Sequence, residues 1–425
     1  MPPIRFIHAA DLHLDAAFSG LSRDIPADFA ERLRTATFTA FRRLLDLCER
    51  ESLDFLLLAG DVYNQEDASV SAQLALRDGF RRLESLSIPV FLVHGNHDPL
   101  ASRLRSVRWP GNVTVFGELP DAVPVFRKGE GTPFAIIHGA SHASGRETRN
   151  LAALFRRTEA CGLHVGLLHA TPGDADGVAR YAPFSQEDLK ASGMDYWALG
   201  HIHDRREVCR EPLAAYPGCT QGLHINEPGE KGCLLVTAEA RSDGGYAVRT
   251  SFRPLGPAVW KTLDMDLGGA ASLDELENRL RTGLDRAAAE VWSGCEMLLV
   301  RLRLQGRTEL DGLLRKGTTC AELADRLRED GNGVPRIWIK DIDVATRPCV
   351  ERGALLERED LLGEVFRLSE AARTASGLQA LREGPLAPLF AHARAGKALE
   401  PLTDEELARL LDDAESLCLD LLEND

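Results

Sequence analysis

The chain has 425 residues, 44% of them hydrophobic and 27% charged, with a formal net charge of −15. That length suits about three domains with a sizeable core, and the balance excludes a disordered tail, a collagen and a coiled-coil rod. No apolar run approaches the roughly 20 residues of a membrane helix. The nine cysteines include no C-x-x-C pair, which argues against a disulfide frame or a thiolate zinc site. The start, Met1-Pro2-Pro3-Ile4-Arg5, runs into a strand-like stretch without the h-region of a secretory signal, so a cytoplasmic protein with reduced thiols is expected. Residues 258–425 hold 22 Lys and Arg against 33 Asp and Glu, while residues 1–257 are near balance at 28 against 32. This argues against broad, unspecific nucleic-acid binding and leaves local recognition open.

In chain order, Ile4–Ala9, Phe55–Ala59, Val90–His94, Phe134–Ile137, Val165–His169 and Tyr196–Leu199 read as strands. Between the first two, Phe29, Leu33, Ala36, Ala40, Leu44 and Leu47 fall on one helical face, and Ser69–Leu86 reads as a second helix. Nearly continuous apolar strands alternating with helices predict a sheet buried on both faces. Past Gly200, turns at Tyr216-Pro217-Gly218, Glu227-Pro228-Gly229 and Asp243-Gly244-Gly245 predict antiparallel structure to about Pro254.

Gly256–Gly269 reads as a junction. Ser272-Leu273-Asp274-Glu275 is a capping-box pattern ahead of Leu276, Leu280 and Leu284. A strand around Val300–Leu304, a helix near Ala321–Glu329 and a strand over Arg336–Val344 complete a small α/β unit. Only helices are expected from Glu359 onward, the last opening at Thr403-x-x-Glu406 with Leu407, Leu410, Leu411, Ala414, Leu417 and Leu421 on one stripe. The domains expected are 1–257, 258–350 and 351–425.

Metal-ligand residue types gather at or just past the predicted strand ends. They are Asp11-Leu12-His13, Gly60-Asp61, Gly95-Asn96-His97-Asp98, His169 and Gly200-His201-Ile202-His203, with His138 a weaker sixth case. Loops at this edge of an α/β sheet converge while the strands hold them rigidly. Glycine precedes three of the clusters, and a missing Cβ lets the next side chain approach a small ion. Two Asp, one Asn and several His, without Cys, form a mixed O/N set suited to Mn²⁺ first, then Fe or Zn²⁺. Seven ligands exceed one tetrahedral ion and suit two divalent ions sharing a carboxylate. Such a pair, about 3.5–4 Å apart, can clamp the attacking and leaving oxygens of an in-line displacement at phosphorus.

The ordered series D-L-H, G-D-V-Y, G-N-H-D, H-A and G-H-I-H resembles the calcineurin-like metallophosphoesterases. The opening F-I-H-A-A-D-L-H-L-D and the G-N-H-D form resemble the SbcD-type DNA-repair nucleases. Y-P-G-C-T-Q-G followed by G-E-K-G-C resembles the YhaO-like exonuclease branch, and the motif-level resemblance covers residues 4–255. It implies an α+β fold, a metallophosphoesterase-type four-layer β-sandwich flanked by helices, with a small α/β capping domain and a helical C-terminal tail. It also implies that Asp11, His13 and His203 hold one metal, that Asn96, His169 and His201 hold the other, and that Asp61 bridges them. His97 would be the general acid or phosphate-orienting group, with Asp98 as its partner. Where some relatives carry a His three residues past the bridging Asp, this chain has Asn64. An amide there orients a phosphate oxygen but donates no proton in general-acid fashion.

His8, His94, His138, His142 and His164 are read as packed or surface residues. Arg301 and Arg303 share one strand face, and Arg336, Trp338 and Lys340 share another. Basic residues interleaved with an aromatic fit polynucleotide contact, and a solvated face with one packed Trp fits equally. The segment from Pro401 to Asp425, with one Arg and nine acidic residues, cannot clamp DNA. In the resembled family the C-terminal helices dock onto an SMC-like coiled-coil ATPase, which is the partner expected; a homodimer is compatible and a membrane is not. The function expected is a metal-dependent DNA exonuclease, with endonuclease activity compatible, acting in DNA repair. The alternatives are a hydrolase of a small phosphodiester or phosphomonoester such as a cyclic nucleotide, and a non-catalytic scaffold of a DNA–ATPase complex.

Overall fold

The computed structural model describes every residue except 1, 22–24, 65–68, 102–106, 174–179, 243, 330–332, 350, 351, 393–401 and 423–425. Asp243 of the third predicted turn and Pro401 at the head of the acidic tail therefore lie outside the described residues. The first part alternates β1 (Ile4–Ala9), α1 (Ala27–Arg34), α2 (Ala36–Arg50), β2 (Phe55–Ala59), α3 (Val70–Ser85), β3 (Val90–Val93) and β4 (Val113–Val115). It continues through β5 (Asp121–Val125), β6 (Ala135–Ala140), β7 (Leu163–His169), α4 (Gln186–Ala191) and β8 (Tyr196–Gly200). Four more strands follow: β9 (Arg206–Arg210), β10 (Leu213–Tyr216), β11 (Gly232–Ala240) and β12 (Tyr246–Pro254).

These strands form not one sheet but two, ordered β12-β11-β1-β2-β3-β4 and β5-β6-β7-β8-β10-β9. Alternate side chains of a strand point to opposite faces, and here each face has its own layer. Phe6, Phe55, Leu57 and Phe91 of the first sheet pack on Ile137, Val165, Leu167 and Ala198 of the second. Their neighbours Ile7, Leu56, Leu58 and Leu92 pack instead on Leu44 of α2 and Leu76 and Phe80 of α3. On the far face of the second sheet, Leu168, Trp197 and Leu199 pack on Phe155 and Leu189. Past Gly200 the antiparallel expectation meets one exception, the parallel pairing of β10 with β8.

The predicted junction at 256–269 contains β13 (Ala258–Asp266), whose Trp260 is fully buried. Then come α5 (Leu273–Glu290), β14 (Met297–Gln305), β15 (Arg307–Thr308), α6 (Asp311–Leu314), α7 (Thr319–Glu329) and β16 (Arg336–Val344). The last elements are β17 (Arg347–Pro348), α8 (Arg352–Leu356), α9 (Leu361–Ala372), α10 (Ala375–Glu383), α11 (Ala387–Ala391) and α12 (Asp404–Leu422).

Two compact units result: Met1–Asp266 with Leu276–Leu304 and Leu314–Ala345, and Leu267–Glu275 with Gln305–Leu313 and Thr346–Asp425. The boundary expected at 257/258 falls inside the first unit. There Ala258, Trp260, Met297, Leu299 and Trp338 share an apolar cluster with Phe29, Leu33 and Ala36, and Arg43 pairs with Glu296 at 2.7 Å. The second unit is built on Leu355, Leu362, Phe366 and Leu419. The stripe predicted on α12 is split: Leu407 is buried, while Leu410, Leu417 and Leu421 are exposed. Glu415 turns inward instead, held by Arg352 at 2.6 Å and Arg373 at 3.2 Å. No described helix is long and apolar enough to cross a membrane.

His8 lies buried on β1 with its ring nitrogens 2.9 Å from Tyr196 Oη and 3.1 Å from Leu199 O. Burial pushes its pKa down to about 3, whereas in the unfolded chain it titrates near ~6.5. Below that value the unfolded state binds a proton that the folded state refuses. His8 therefore costs up to about 1.4 kcal/mol of stability per pH unit as pH falls from ~6.5 toward ~3. Urea unfolding of His8→Gln should show a deficit against wild type that shrinks between about pH 7 and about pH 5. A constant deficit would assign His8 a packing role alone.

Candidate metal centre

Five strands deliver the predicted ligands. Parallel β1, β2 and β3 lead to Asp11 and His13, to Asp61, and to Asn96 and His97; parallel β7 and β8 of the other sheet lead to His169, and to His201 and His203. The first loops stay paired beyond their strands, with the N–H groups of Asp11, His13 and Leu14 donating to the carbonyls of Gly60, Asp61 and Val62 at 3.1, 3.0 and 3.1 Å. The two sheets touch at this point. His169 Nδ1–H donates to Ala59 O at 2.9 Å, and a Cβ on Gly200 would lie 1.8 Å from that same oxygen. A Cβ on Gly95 would lie 2.3 Å from Asp61 Oδ1, so glycine is required here for close approach. Asp11, His13, Asp61 and His201 hold φ of 50°, 41°, 50° and 105°, a region that side-chain-bearing residues rarely adopt.

Asp11, His13 and His203 offer ligand atoms within 4.8 Å of one another, and so do Asp61, His169 and His201. Asn96 Oδ1 lies 3.0 Å from His169 Nε2. The His97 N–H donates to Asp61 Oδ1 at 2.9 Å, while its exposed ring stands edge-on to His13 with centroids 5.2 Å apart. His13 and His203 turn their Nε2 atoms toward each other at 3.1 Å, beside two carboxylates each only 1% exposed. Facing imidazole nitrogens and buried carboxylates are a donor set that a divalent cation completes.

The electrostatics agree with this fit. Burial pushes Asp11 up to about 6 against the pull of His169 and His203. Burial also opposes the Asp61 carboxylate, but His169 and His13 outweigh it and hold its pKa below the usual range. In turn burial opposes the His169 imidazolium, and Asp61 and Asp11 outweigh it, raising His169 to about 9. A metal would replace the protons that otherwise balance these groups.

Outside the ligands, His203 Nδ1–H donates to Glu227 Oε1 at 2.5 Å, and Glu227 also accepts the Leu223 N–H at 2.7 Å. His13 Nδ1–H donates to Asn64 Oδ1 at 2.6 Å. Both contacts leave Nε2 facing the cluster, the arrangement that orients metal-binding imidazoles. Asn64 thus orients the His13 ring. Asp98, expected beside His97, accepts instead from the N–H groups of Val62 at 3.1 Å and Gly95 at 2.7 Å, and lies 3.2 Å from His94 Nδ1. It ties two ligand loops together. His142 Nε2–H donates to His169 O at 2.6 Å, and His138 faces His164 at 3.0 Å.

Arg301, Arg303, Arg336 and Lys340 of the α/β unit are each paired within the chain. Trp338 is buried against Phe29, with ring centroids 5.7 Å apart and Arg328 stacked on it. Arg336 pairs with Asp28 and Lys340 with Asp341. Arg301 grips Asp341 at 2.6 and 2.9 Å, and Arg303 pairs with Asp343 at 3.3 Å. A register shift at Val300/Arg301 brings these carboxylates opposite the arginines.

The family model described as calcineurin-like phosphoesterase matches residues 4–205, and that described as the middle domain of metallophosphoesterase YhaO matches residues 260–347. The chain belongs to the calcineurin-like metallophosphoesterases, phosphoester hydrolases with a dinuclear metal site. It is 34% identical over 388 residues to the uncharacterized metallophosphoesterase YhaO of Bacillus subtilis (strain 168), covering 90% of this chain and 91% of that one. It is also similar to proteins named DNA double-strand break repair protein Mre11. Identity to that of Sulfurisphaera tokodaii is 25% over 216 residues, covering 48% of this chain and 50% of that one. For that of Aeropyrum pernix it is 26% over 315 residues, covering 68% and 69%.

Glu227→Gln should weaken metal binding about 10–100-fold, as loss of a ligand-orienting carboxylate does, read by metal titration. Gly95→Ala should displace Asp61 and lower bound metal by elemental analysis. If both variants bound metal as wild type does, the supporting roles of Glu227 and Gly95 would be wrong.

Proposed function

We propose that this chain is a two-metal-dependent DNA phosphodiesterase, an exonuclease of DNA repair that works with an SMC-like coiled-coil ATPase. The observation that carries the reading is the pair of three-residue clusters drawn from two sheets, with Asp61 contacting both His169 of its own cluster and the His97 backbone. Asp11, His13 and His203 would hold one ion and Asn96, His169 and His201 the other, with Asp61 between the two sets and Mn²⁺ the first candidate. When bound, two such ions supply the charge that acidifies water and offsets charge on phosphoryl oxygens.

The protein's own groups do the rest. Glu227 and Asn64 keep the Nε2 atoms of His203 and His13 turned inward. The His97 imidazole, exposed at the mouth and anchored through its N–H on Asp61, gives a proton to the leaving oxygen. Similarity to the Mre11 proteins supports a DNA substrate. Leu361, Leu368, Leu417 and Leu421, each more than half exposed on the helical unit, supply apolar surface of the kind a coiled coil covers. One observation favours a second reading, hydrolysis of a small phosphoester: Arg301, Arg303, Arg336 and Lys340 are all paired with carboxylates of this chain.

Asp61→Ala should be the most damaging single ligand change, because it disturbs both clusters. His97→Ala should keep its metal and lose about 10²–10⁴-fold in kcat, the range of a positioned acid–base group. Elemental analysis beside turnover separates the two effects, and loss of metal from His97→Ala would move that residue among the ligands. End-labelled DNA assayed beside a cyclic dinucleotide and an aryl phosphodiester decides the substrate class. Chelator should abolish all of these activities and lower Tm, since Asp11 and Asp61 then lack their counter-charge.

A further inference from the structure

If the cations of the α/β unit are engaged internally, a polynucleotide needs its phosphates held elsewhere. Arg205 and Arg206 lie two and three residues past His203, beyond Asp204, whose carboxylate pairs with Lys231 at 2.8 Å, on the segment that enters β9. Both are exposed, and neither has a carboxylate partner among the described residues. Each guanidinium lies on an aromatic ring instead: Arg205 sits 4.1 Å from the Phe252 ring centroid and Arg206 sits 5.4 Å from that of Tyr216. Stacking restrains a long side chain while leaving its N–H donors free.

The two rings belong to different sheets. Phe252 is on β12 of the first and Tyr216 on β10 of the second, and together with Arg205, Arg206, Ala215 and Thr250 they line a cleft of about 360 Å³. Glu207 also borders it, its carboxylate 4.0 Å from Arg210. Strand order fixes where the cleft lies. β10 runs parallel to β8, so Tyr216 ends at the same sheet edge as the His201–His203 loop, and Arg206 pairs with Tyr216 in the register of β9. The Tyr216 hydroxyl donates to Ala170 O, next to the ligand His169, at 2.6 Å. Two strand spacings separate β9 from β8, about 10 Å, or roughly three nucleotides at ~3.4 Å each.

We propose that Arg205 and Arg206 bind backbone phosphates of a polynucleotide a few nucleotides from the bond being cut. This rests on the reading of the substrate as DNA. The aromatic faces are covered by the guanidiniums, so the contact reads charge and spacing and not base identity.

The test compares full-length wild type, R205Q/R206Q and R205K/R206K, each first shown to share one Tm. Affinity for end-labelled DNA is measured across a salt series in chelator, and kcat/KM with Mn²⁺ is measured for that DNA and for an aryl phosphodiester. The Gln pair should lower the slope of log K against log salt by about 1.4–1.8, at ~0.7–0.9 per contact, and lower the DNA-to-ester ratio about tenfold. The Lys pair should keep the wild-type slope. A wild-type slope in the Gln pair, when wild type itself cuts DNA, overturns the arginine assignment and leaves the nuclease reading standing. Equal losses on both substrates also overturn it, by placing the arginines at the reacting centre. A wild type that cleaves the ester but neither binds nor cuts DNA overturns the DNA reading and this inference with it.

Discussion

Two carboxylates, Asp11 and Asp61, are buried where the two sheets meet, and the surrounding structure is organised around their charge. A carboxylate withdrawn from water without compensation costs several kcal/mol. Asp11 accepts the His201 N–H at 3.1 Å through both oxygens, and Asp61 accepts the His97 N–H at 2.9 Å. The partner loops thus come from strands on either side. Because each loop leaves a strand packed on both faces, the carboxylates cannot retreat to solvent when no cation is present. His169, raised to about 9 by these two carboxylates, keeps its proton beside them and supplies part of the missing charge.

Much of this was legible in the chain. Glycine ahead of Asp61, Asn96 and His201 is a local signal, and the structure shows what it serves: at Gly95 and Gly200 a Cβ would strike Asp61 and Ala59. The buried strands were legible too, because continuous apolar runs of that length have few other uses. Glu227 was not. It lies 24 residues past His203 in a turn-rich segment, with no periodicity to place it on the ring. Short edge strands such as Val113–Val115 and Asp121–Val125 carry too little apolar pattern to announce themselves.

Charge patterning left two readings open for a different reason. Alternation on β14 and β16 correctly groups Arg301 with Arg303 and Arg336 with Trp338, but it cannot say what the face meets. The face meets Phe29 and Asp28 of α1 at one end and its own carboxylates at the other. On α12 the same limit applies, since Glu415, paired with Arg352 and Arg373, is buried with Leu407 and Leu419 while Leu410, Leu417 and Leu421 stay exposed. A helical wheel counts apolar area, and two arginines on one carboxylate can outweigh it. For a chain of net charge −15, what a polyanion meets is set by which cations lack a local partner and not by how many there are.

The left-handed backbone at Asp11, His13, Asp61 and His201 has an evolutionary consequence. Each such residue costs about 1 kcal/mol or more, so the four together are a noticeable fraction of the roughly 5–15 kcal/mol by which a domain is stable. Glycine at any of them would relieve the backbone and remove a candidate metal-binding side chain in one step. Selection for stability and selection for metal binding therefore pull these four positions in opposite directions. A descendant freed from catalysis would show it first as glycine or asparagine here, with the two sheets intact and more stable than before.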